Sequence, residues 1–377
     1  MHNCHHERDL LKRKLEAGIS IHMPAPRRIG KTWTMSRLAG DLRGDGWHVI
    51  EVDVQGMRTP QEFARDLCTR IEAQNSIKTR FKAHVAQRLS NILGGGWGEK
   101  PVDALAKVDP VEFAETLIAS LDDAGEKTAL FIDEISFFFL KLAEDDARVA
   151  HTFAYKLRAL QQRYKNIRWL ITGSIGLNTI AQRYGLEGAF VDFETFELEP
   201  FTPAQARSFM RDPVMQQQFN HTFDASDADF DAAFTELGWV APYYLRLIAN
   251  EVRPSIEGSD GKPPIATQVD LNAAFEKLLQ PNRRSEFAIW REHIDKNLPA
   301  PDRAVAKQIL NFLSKYPAGE TEDTLLAQMH HIGAVTKPQL REVLAMLSSD
   351  GLITKIGARY AFRSGLVRRY WQEYEAE

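Results

Sequence analysis

The stretch MPAPRRIGKTWTM, residues 23–35, decides the fold of this chain. It follows a short apolar segment, ISIHM (19–23), and leads into the helical pattern WTMSRLAGDLRGDG (33–46). A strand, a glycine-containing loop, a Lys-Thr pair and a helix are the context in which G-x-x-x-x-G-K-[ST] cradles phosphates through backbone N–H groups. Ala25 stands where the first glycine belongs. The stretch is therefore a working phosphate loop, an eroded one, or a coincidental turn before a helix.

Each residue type of the loop has a chemical reason. Gly30 lets the backbone approach a phosphate closely, Lys31 brings a point charge to the β/γ oxygens, and Thr32 offers a hydroxyl to Mg²⁺. Ala25 adds only one methyl group to the first position, and the prolines on either side stiffen the loop. The predicted nucleotide-binding residues are Ala25, Pro26, Arg27, Arg28, Ile29, Gly30, Lys31, Thr32 and Trp33.

A second motif, ALFIDEIS (129–136), places two acids at the end of an apolar strand. Asp133 is predicted to hold the Mg²⁺ shell together with Thr32, and Glu134 to orient and deprotonate an attacking water. An Asp-Glu pair after a strand is also common in solvated loops. The phosphate loop upstream, on another strand of the same expected sheet, favours the catalytic interpretation.

A third segment, WLITGSIG (169–176), ends a strand in polar residues. A hydroxyl at this point is in a position to sense the γ-phosphate or the attacking water. Ser174 is the preferred candidate, ahead of Thr172, although polar residues at strand ends are common without any function.

Composition and patterning set the frame for these motifs. The chain has 377 residues, a net charge of −4 and two cysteines, and no uncharged apolar run approaches the roughly 20 residues of a membrane span. A cytoplasmic protein without membrane contact is expected, and a chain that is basic all over is excluded. Apolar strands are expected at 19–23, 47–54, 128–136 and 167–174. They alternate with helices, one of them over 61–93 up to a glycine-rich break at 94–100, which predicts an α/β fold with a parallel sheet covered on both faces.

Two helix starts carry a capping-box pattern, Thr59-Pro60-x-Glu62 and Thr202-Pro203-x-Gln205. Helical patterns cover 202–292 with a break at 254–264, and LITKIGARYAF (352–362) reads as two short strands about a Gly-Ala-Arg turn.

At the three motifs the chain resembles the archaeal-type ATPases of the AAA+/STAND group of P-loop NTPases. Their loop reads GPRRxGKT and this one APRRIGKT, and FIDEIS and ITGS match their strand-end segments. LGWVAPYYLRLI (237–248) resembles their lid segment, with Pro242 matching as a nucleotide-binding residue, and RYAFRSGLVRRYW resembles the end of their winged-helix domain. The resemblance implies an α/β ATPase domain (1–200), a helical lid (201–296) and a winged helix (297–377). It also implies slow, Mg²⁺-dependent ATP hydrolysis used as a conformational switch, with nucleotide bound where the lid meets the sheet.

The sequence departs from the family in places and leaves partners open. EGAFVDFE (187–194) lacks the Gly-Arg pair of relatives, so no arginine finger is assigned there, and Arg158, Arg163 and Arg168 stay equal candidates. A partner protein is expected without being identified, and the sequence permits a homo-oligomer without indicating the oligomeric state. The tail 351–372 has five basic residues and no acid, which permits DNA binding as well as protein docking. The alternative function is thus a DNA-binding regulator whose nucleotide site is only a switch or structural. The segment MHNCHH (1–6) matches no zinc template.

Overall fold

The computed structural model describes residues 5–74, 83–85, 87–88, 90–91, 107–174, 176–259, 261–298, 300–329 and 333–376. The chain forms two compact units. One consists of His6–Ala25 and Lys31–Leu198; the other contains the chain from Glu199 onward together with the loop Pro26–Gly30.

The first unit is built on a five-stranded sheet in the order β2-β3-β4-β1-β5, and every pair of neighbouring strands is parallel. The strands are β1 (Ile21–Pro24), β2 (His48–Asp53), β3 (Thr128–Asp133), β4 (Ile167–Gly173) and β5 (Glu194–Thr195). The predicted parallel α/β sheet is confirmed. Its central strands are apolar along their length because helices cover both faces.

Seven α-helices of this unit have both ends within the described residues. They are α1 (His5–Glu16), α2 (Lys31–Gly44), α3 (Pro60–Glu72), α4 (Pro110–Asp123), α5 (Ile135–Asp145), α6 (Ala147–Arg163) and α7 (Leu177–Tyr184). The capping box expected from Thr59-Pro60-x-Glu62 starts α3, and Asp109 caps α4. The FFFL segment (137–140) lies in α5 and contributes Phe138 and Phe139 to the core.

The end of β3 and the region 61–93 differ from the sequence-based predictions or are only partly described. The segment TALFIDEIS is not a strand throughout: β3 ends at Asp133, and α5 starts at Ile135 because Glu134 takes up a left-handed conformation (φ 61°, ψ 33°) that ends the extended chain. The predicted helical region 61–93 contains α3, while its later part and the glycine-rich break at 94–100 lie wholly or partly outside the described residues.

The second unit is helical at first. Its helices are α8 (Pro203–Arg211), α9 (Pro213–Gln216), α10 (Asp227–Leu237), α11 (Pro242–Glu251), α12 (Gln268–Leu278) and α13 (Ser285–Asn297). The region 202–292 is not entirely helical as predicted. Two short parallel strands, β6 (Asp224–Ala225) and β7 (Ile265–Ala266), pair there, and two residues are too few for a recognisable strand pattern. These helices occupy the region that the sequence predicts as the lid.

The end of the chain is a winged helix. Helices α14 (Ala300–Ser314), α15 (Glu322–Gln328) and α16 (Lys337–Asp350) precede a wing of β9 (Ile353–Ile356) and β10 (Arg359–Phe362), with β8 (Glu320–Thr321) on the other side of β10. The predicted pair of strands is confirmed, but the turn consists of Gly357 and Ala358 alone, because Arg359 already pairs with Ile356 as the first residue of β10. A further helix, α17 (Gly365–Tyr374), closes the unit and buries Tyr370 and Trp371. In the part of the chain that the structure describes, no helix combines the length and the apolar character that crossing a bilayer requires.

Candidate nucleotide site

The carboxyl edge of the sheet brings the predicted catalytic residues together. Strand β3 lies between β2 and β4, and the register pairs Asp53 with Asp133 and Ile132 with Ile171. The chain segments that leave these strands therefore start side by side, which places Asp133 and Glu134 next to the end of β4. In open parallel sheets, ligands bind outside this edge.

Lys31, the first residue of α2, lies between the two acids. Its Nζ atom is 2.8 Å from Oδ1 of Asp133 and 2.5 Å from Oε1 of Glu134, and the lysine and Glu134 are each 8% exposed. Burial by itself would lower the pKa of Lys31, but the charges of Glu134 and Asp133 and the hydrogen bonds to both outweigh it and raise the pKa. The lysine therefore keeps its positive charge in a largely buried place.

Glu134 is held from two sides. Lys31 contacts Oε1, while Oε2 accepts hydrogen bonds from the backbone N–H of Ser174 (3.1 Å) and from its hydroxyl (2.8 Å). Ser174 is 2% exposed. The structure thus places Ser174, predicted as a sensor of the γ-phosphate, in direct contact with the predicted base.

Asp133 shares Lys31 with Glu134 and has two hydroxyl partners of its own. Thr172 donates its hydroxyl to Oδ1, and Thr32 donates its hydroxyl to Oδ2 at 3.3 Å. The two polar residues at the end of β4 therefore divide the acids between them: Thr172 contacts Asp133, and Ser174 contacts Glu134. Sequence reasoning ranked the two against each other and missed this division.

The donor set at Asp133 fits Mg²⁺. One hydroxyl and one carboxylate oxygen lie together, both are hard oxygen ligands, and Mg²⁺ takes few protein ligands because it keeps waters and substrate oxygens. Over the described ranges, no cluster of three or more His, Cys, Asp or Glu residues is arranged to hold a metal by protein ligands alone. Met1–Cys4 of the N-terminal MHNCHH segment lie outside these ranges.

The loop accepts Ala25 without strain. Ala25 is 1% exposed, its N–H donates to the carbonyl of Gly173 at 3.3 Å, and its φ is not positive. Positive φ occurs later in the loop, at Arg28 (72°) and Gly30 (102°). The glycine of the general pattern is therefore not required at position 25 in this loop.

The loop residues Pro26–Gly30 belong to the second unit and have partners there. The Arg28 guanidinium lies 4.0 Å from the ring centroid of Tyr243, which follows Pro242 in the first turn of α11. Arg27 contacts Asp350, and Ile29 is buried. Pro242 itself occupies the first position of its helix, where its missing N–H costs no hydrogen bond.

Two further residues bear on the site. Trp33, at the start of α2, is 39% exposed and has the Arg37 guanidinium 5.5 Å from its ring. Asp53, at the end of β2, was missed by sequence reasoning. Burial and then the charges of Asp133 and Glu134 raise the pKa of Asp53, although the Gln55 N–H and Lys31 oppose the shift. The signal in the sequence is the second acid of EVDV (51–54), which belongs to no motif.

The arginines of the winged helix are engaged within the protein. Arg359 donates to the Gly319 carbonyl, Arg363 to the Ser348 carbonyl and Arg368 to the Ser314 carbonyl, while Arg369 pairs with two glutamates. The three candidate arginine fingers also have partners: Arg158 pairs with Asp192, Arg163 with Glu115, and Arg168 donates to the Leu15 carbonyl.

Comparison with known proteins finds solved structures with a similar fold. No protein-family model matches the sequence, and no curated protein is similar to it. A Walker-type ATPase of Pyrococcus abyssi has a similar structure, with a TM-score of 0.64 and 15% identity over 98% of this chain and 95% of that one.

Two proteins of Aeropyrum pernix match more distantly. ORC1, solved in complex with DNA, has a TM-score of 0.43 and 13% identity over 100% of this chain and 94% of its own. ORC2 has a TM-score of 0.45 and 10% identity over 100% and 96%. At these identities the likeness concerns the fold alone. The chain therefore shares the fold of the Walker-type ATPase of Pyrococcus abyssi, with a parallel sheet and a phosphate loop.

Proposed function

We propose that this protein binds ATP with Mg²⁺ at the loop 25–32 and hydrolyses it slowly, as a conformational switch for a partner protein or a nucleic acid. The observation that carries the proposal is the buried cluster in which Lys31 contacts Asp133 and Glu134 while Ser174 holds the second oxygen of Glu134. A lysine, two acids and a hydroxyl in contact are the chemical groups that phosphoryl transfer to water requires.

The geometry suggests how the chain's own residues act. Phosphate oxygens compete with the carboxylates for the Lys31 ammonium, because they carry more negative charge. When Lys31 turns to the phosphates, Oε1 of Glu134 becomes available to accept a proton from water. The two hydrogen bonds from Ser174 keep Oε2 fixed, so the carboxylate stays aimed while its other oxygen reacts.

Thr32 and Asp133 are the residues that would hold Mg²⁺, and Thr172 would orient the Asp133 carboxylate. The ion supplies positive charge to the phosphate oxygens. Trp33, on the exposed start of α2, is the proposed contact for the nucleoside part of ATP.

The test is the Glu134→Gln variant. The amide keeps the shape of the side chain but cannot accept the water's proton, so ATP affinity should persist while turnover falls by about 10²-fold or more. Glu16→Gln, an exposed position on α1, is the matched control and should hydrolyse ATP at the parent rate. Parent-rate turnover by Glu134→Gln would remove Glu134 from the role of base.

The alternative function is that of a DNA-binding regulator that uses residues 351–372. Arg359 is the best placed of its arginines because its side chain is 51% exposed and lies in the wing. A gel-shift titration of duplex DNA at low salt distinguishes DNA from a protein as the partner.

A further inference from the structure

The phosphate loop is not held in its conformation by regular secondary structure of its own. Its residues between β1 and α2 form no regular structure, and Arg28 takes a φ of 72° that disfavours a side chain by roughly 1–2 kcal/mol. A loop of this kind keeps one conformation only if contacts from elsewhere fix it. Those contacts come from the second unit, to which Pro26–Gly30 belong.

Arg27 makes two contacts to one residue, Asp350. Its backbone N–H donates to the Asp350 carbonyl at 3.3 Å, and its Nε atom lies 3.5 Å from Oδ1 of the Asp350 carboxylate. The side chains are 15% and 8% exposed, so the ion pair is largely shielded from water.

The Asp350 carboxylate is itself oriented. Its Oδ2 atom lies 2.7 Å from Nδ1 of His293 on α13, and the imidazole is 8% exposed. One oxygen therefore faces the histidine and the other faces the loop arginine. The histidine holds Oδ2 by a hydrogen bond, while Oδ1 and the Arg27 Nε atom form an ion pair without a hydrogen bond among the described residues. The hydrogen bond at Oδ2 therefore keeps Oδ1 turned towards Arg27.

Helix stability does not account for Asp350. It is the last residue of α16, and an acid at the C-terminus of a helix is opposed by the helix dipole. Gly351 follows with φ 92°, and a Cβ atom there would come within 2.7 Å of the Cβ of Pro26. The end of α16 is thus shaped to receive the loop, and the acid at that point pairs with Arg27.

We propose that Asp350 is a positioning residue for the phosphate loop: through Arg27, and with His293 as its orienting partner, it fixes the backbone that receives the phosphates. The proposal rests on the proposed function, since it names how that site is shaped. If the Arg27–Asp350 contact favours ATP binding, bound ATP must favour that contact to the same extent. The position of the end of α16 should therefore respond to nucleotide.

The test measures ATP affinity and steady-state hydrolysis of three variants. Asp350→Asn and Arg27→Gln should each weaken ATP binding and raise KM by about tenfold, with kcat at saturating ATP changed less than about twofold. The double variant should be no weaker than either single variant, because both remove the same contact. Asp350→Glu, which keeps the charge, should recover part of the affinity.

The matched control is Asp302→Asn, a 5%-exposed acid on α14 of the same unit, which should leave ATP affinity unchanged even if it lowers the melting temperature. Parent affinity in a folded Asp350→Asn protein, or additive losses in the double variant, would overturn the proposal. If Asp350→Asn does not fold, Arg27→Gln decides alone: parent affinity in that variant overturns the proposal. A parent protein that binds no ATP would instead overturn the proposed function.

Discussion

Glu134 combines an uncommon backbone conformation with a fully engaged side chain. A left-handed glutamate costs roughly 1–2 kcal/mol, and here it directs the carboxylate to Lys31 on one side and Ser174 on the other. The strain lies where the motif predicts the base. The predicted catalytic pair and the loop lysine therefore meet in space as the sequence pattern implies.

Ser174→Ala tests the positioning of this base. Removing the hydroxyl leaves only the backbone N–H on Oε2, so the carboxylate gains freedom, and we expect turnover to fall by about tenfold with ATP affinity nearly unchanged. Ser136→Ala is the control: that serine is fully buried, and its hydroxyl has no hydrogen-bond partner among the described residues. Equal turnover in both variants would show that Ser174 does not position Glu134.

Ala25→Gly tests whether the loop is eroded. Because φ at Ala25 is not positive, glycine offers no conformational relief there, and its greater freedom in the unfolded chain should lower stability by about 0.5–1 kcal/mol. ATP affinity should change only a few-fold. A large gain in affinity or turnover, measured by calorimetry and phosphate release, would show that the natural alanine impairs the site.

The sequence predicted individual site residues where a local motif exists. Lys31, Asp133, Glu134 and Ser174 belong to short patterns whose chemistry is readable. Asp53 was missed because a single acid at a strand end has no pattern. The contact of Arg27 with Asp350 could not be foreseen, because it depends on how segments far apart in the chain pack.

At the scale of the element, β1 contains a buried histidine. His22 is 5% exposed, burial lowers its pKa to about 4, and its Nε2 atom has no hydrogen-bond partner in the described part of the chain. The folded state therefore binds this proton less readily than the unfolded chain, whose histidines titrate near 6.5. The stability that neutral His22 contributes is complete above about pH 6.5 and is lost as the pH falls towards 4.

The prediction is that His22→Leu is less sensitive to acid than the parent. Between about pH 6.5 and 4 the parent should lose on the order of 3 kcal/mol of unfolding free energy that the variant does not lose. Urea denaturation at a series of pH values measures the free energy of unfolding of both proteins. The other titratable groups are the same in the two proteins, so their contributions cancel in the difference. Parallel pH profiles for the two proteins would contradict the assignment.

The elements that the sequence predicted are those with strong local signals. Continuous apolar runs identified four strands of the sheet, and the Thr-Pro-x-Glu/Gln patterns identified two helix starts. Strand β5 has only two residues, both exposed, so no hydrophobic pattern marks it. The end of β3 was placed too late because the apolar run continues directly into α5.

At the scale of the whole molecule, the question is what the winged helix contacts. Arg359, Arg363, Arg368 and Arg369 already have acceptors within the protein, so we expect weak duplex DNA binding with a shallow salt dependence. Replacing Lys355 and Arg359 with alanine should alter a gel-shift titration no more than Arg148→Ala, a control outside residues 351–372. Tight binding whose salt slope falls by roughly 0.9 per replaced contact would favour the DNA-binding regulator.

The proposed ATP binding depends on Lys31. The direct measurement is calorimetric titration of ATP with Mg²⁺ into the parent and into Lys31→Ala, with melting curves to establish that both are folded. We expect binding by the parent and none measurable by the variant, because the variant loses the buried ammonium beside Asp133 and Glu134. Equal affinity in the two proteins would contradict the proposed function.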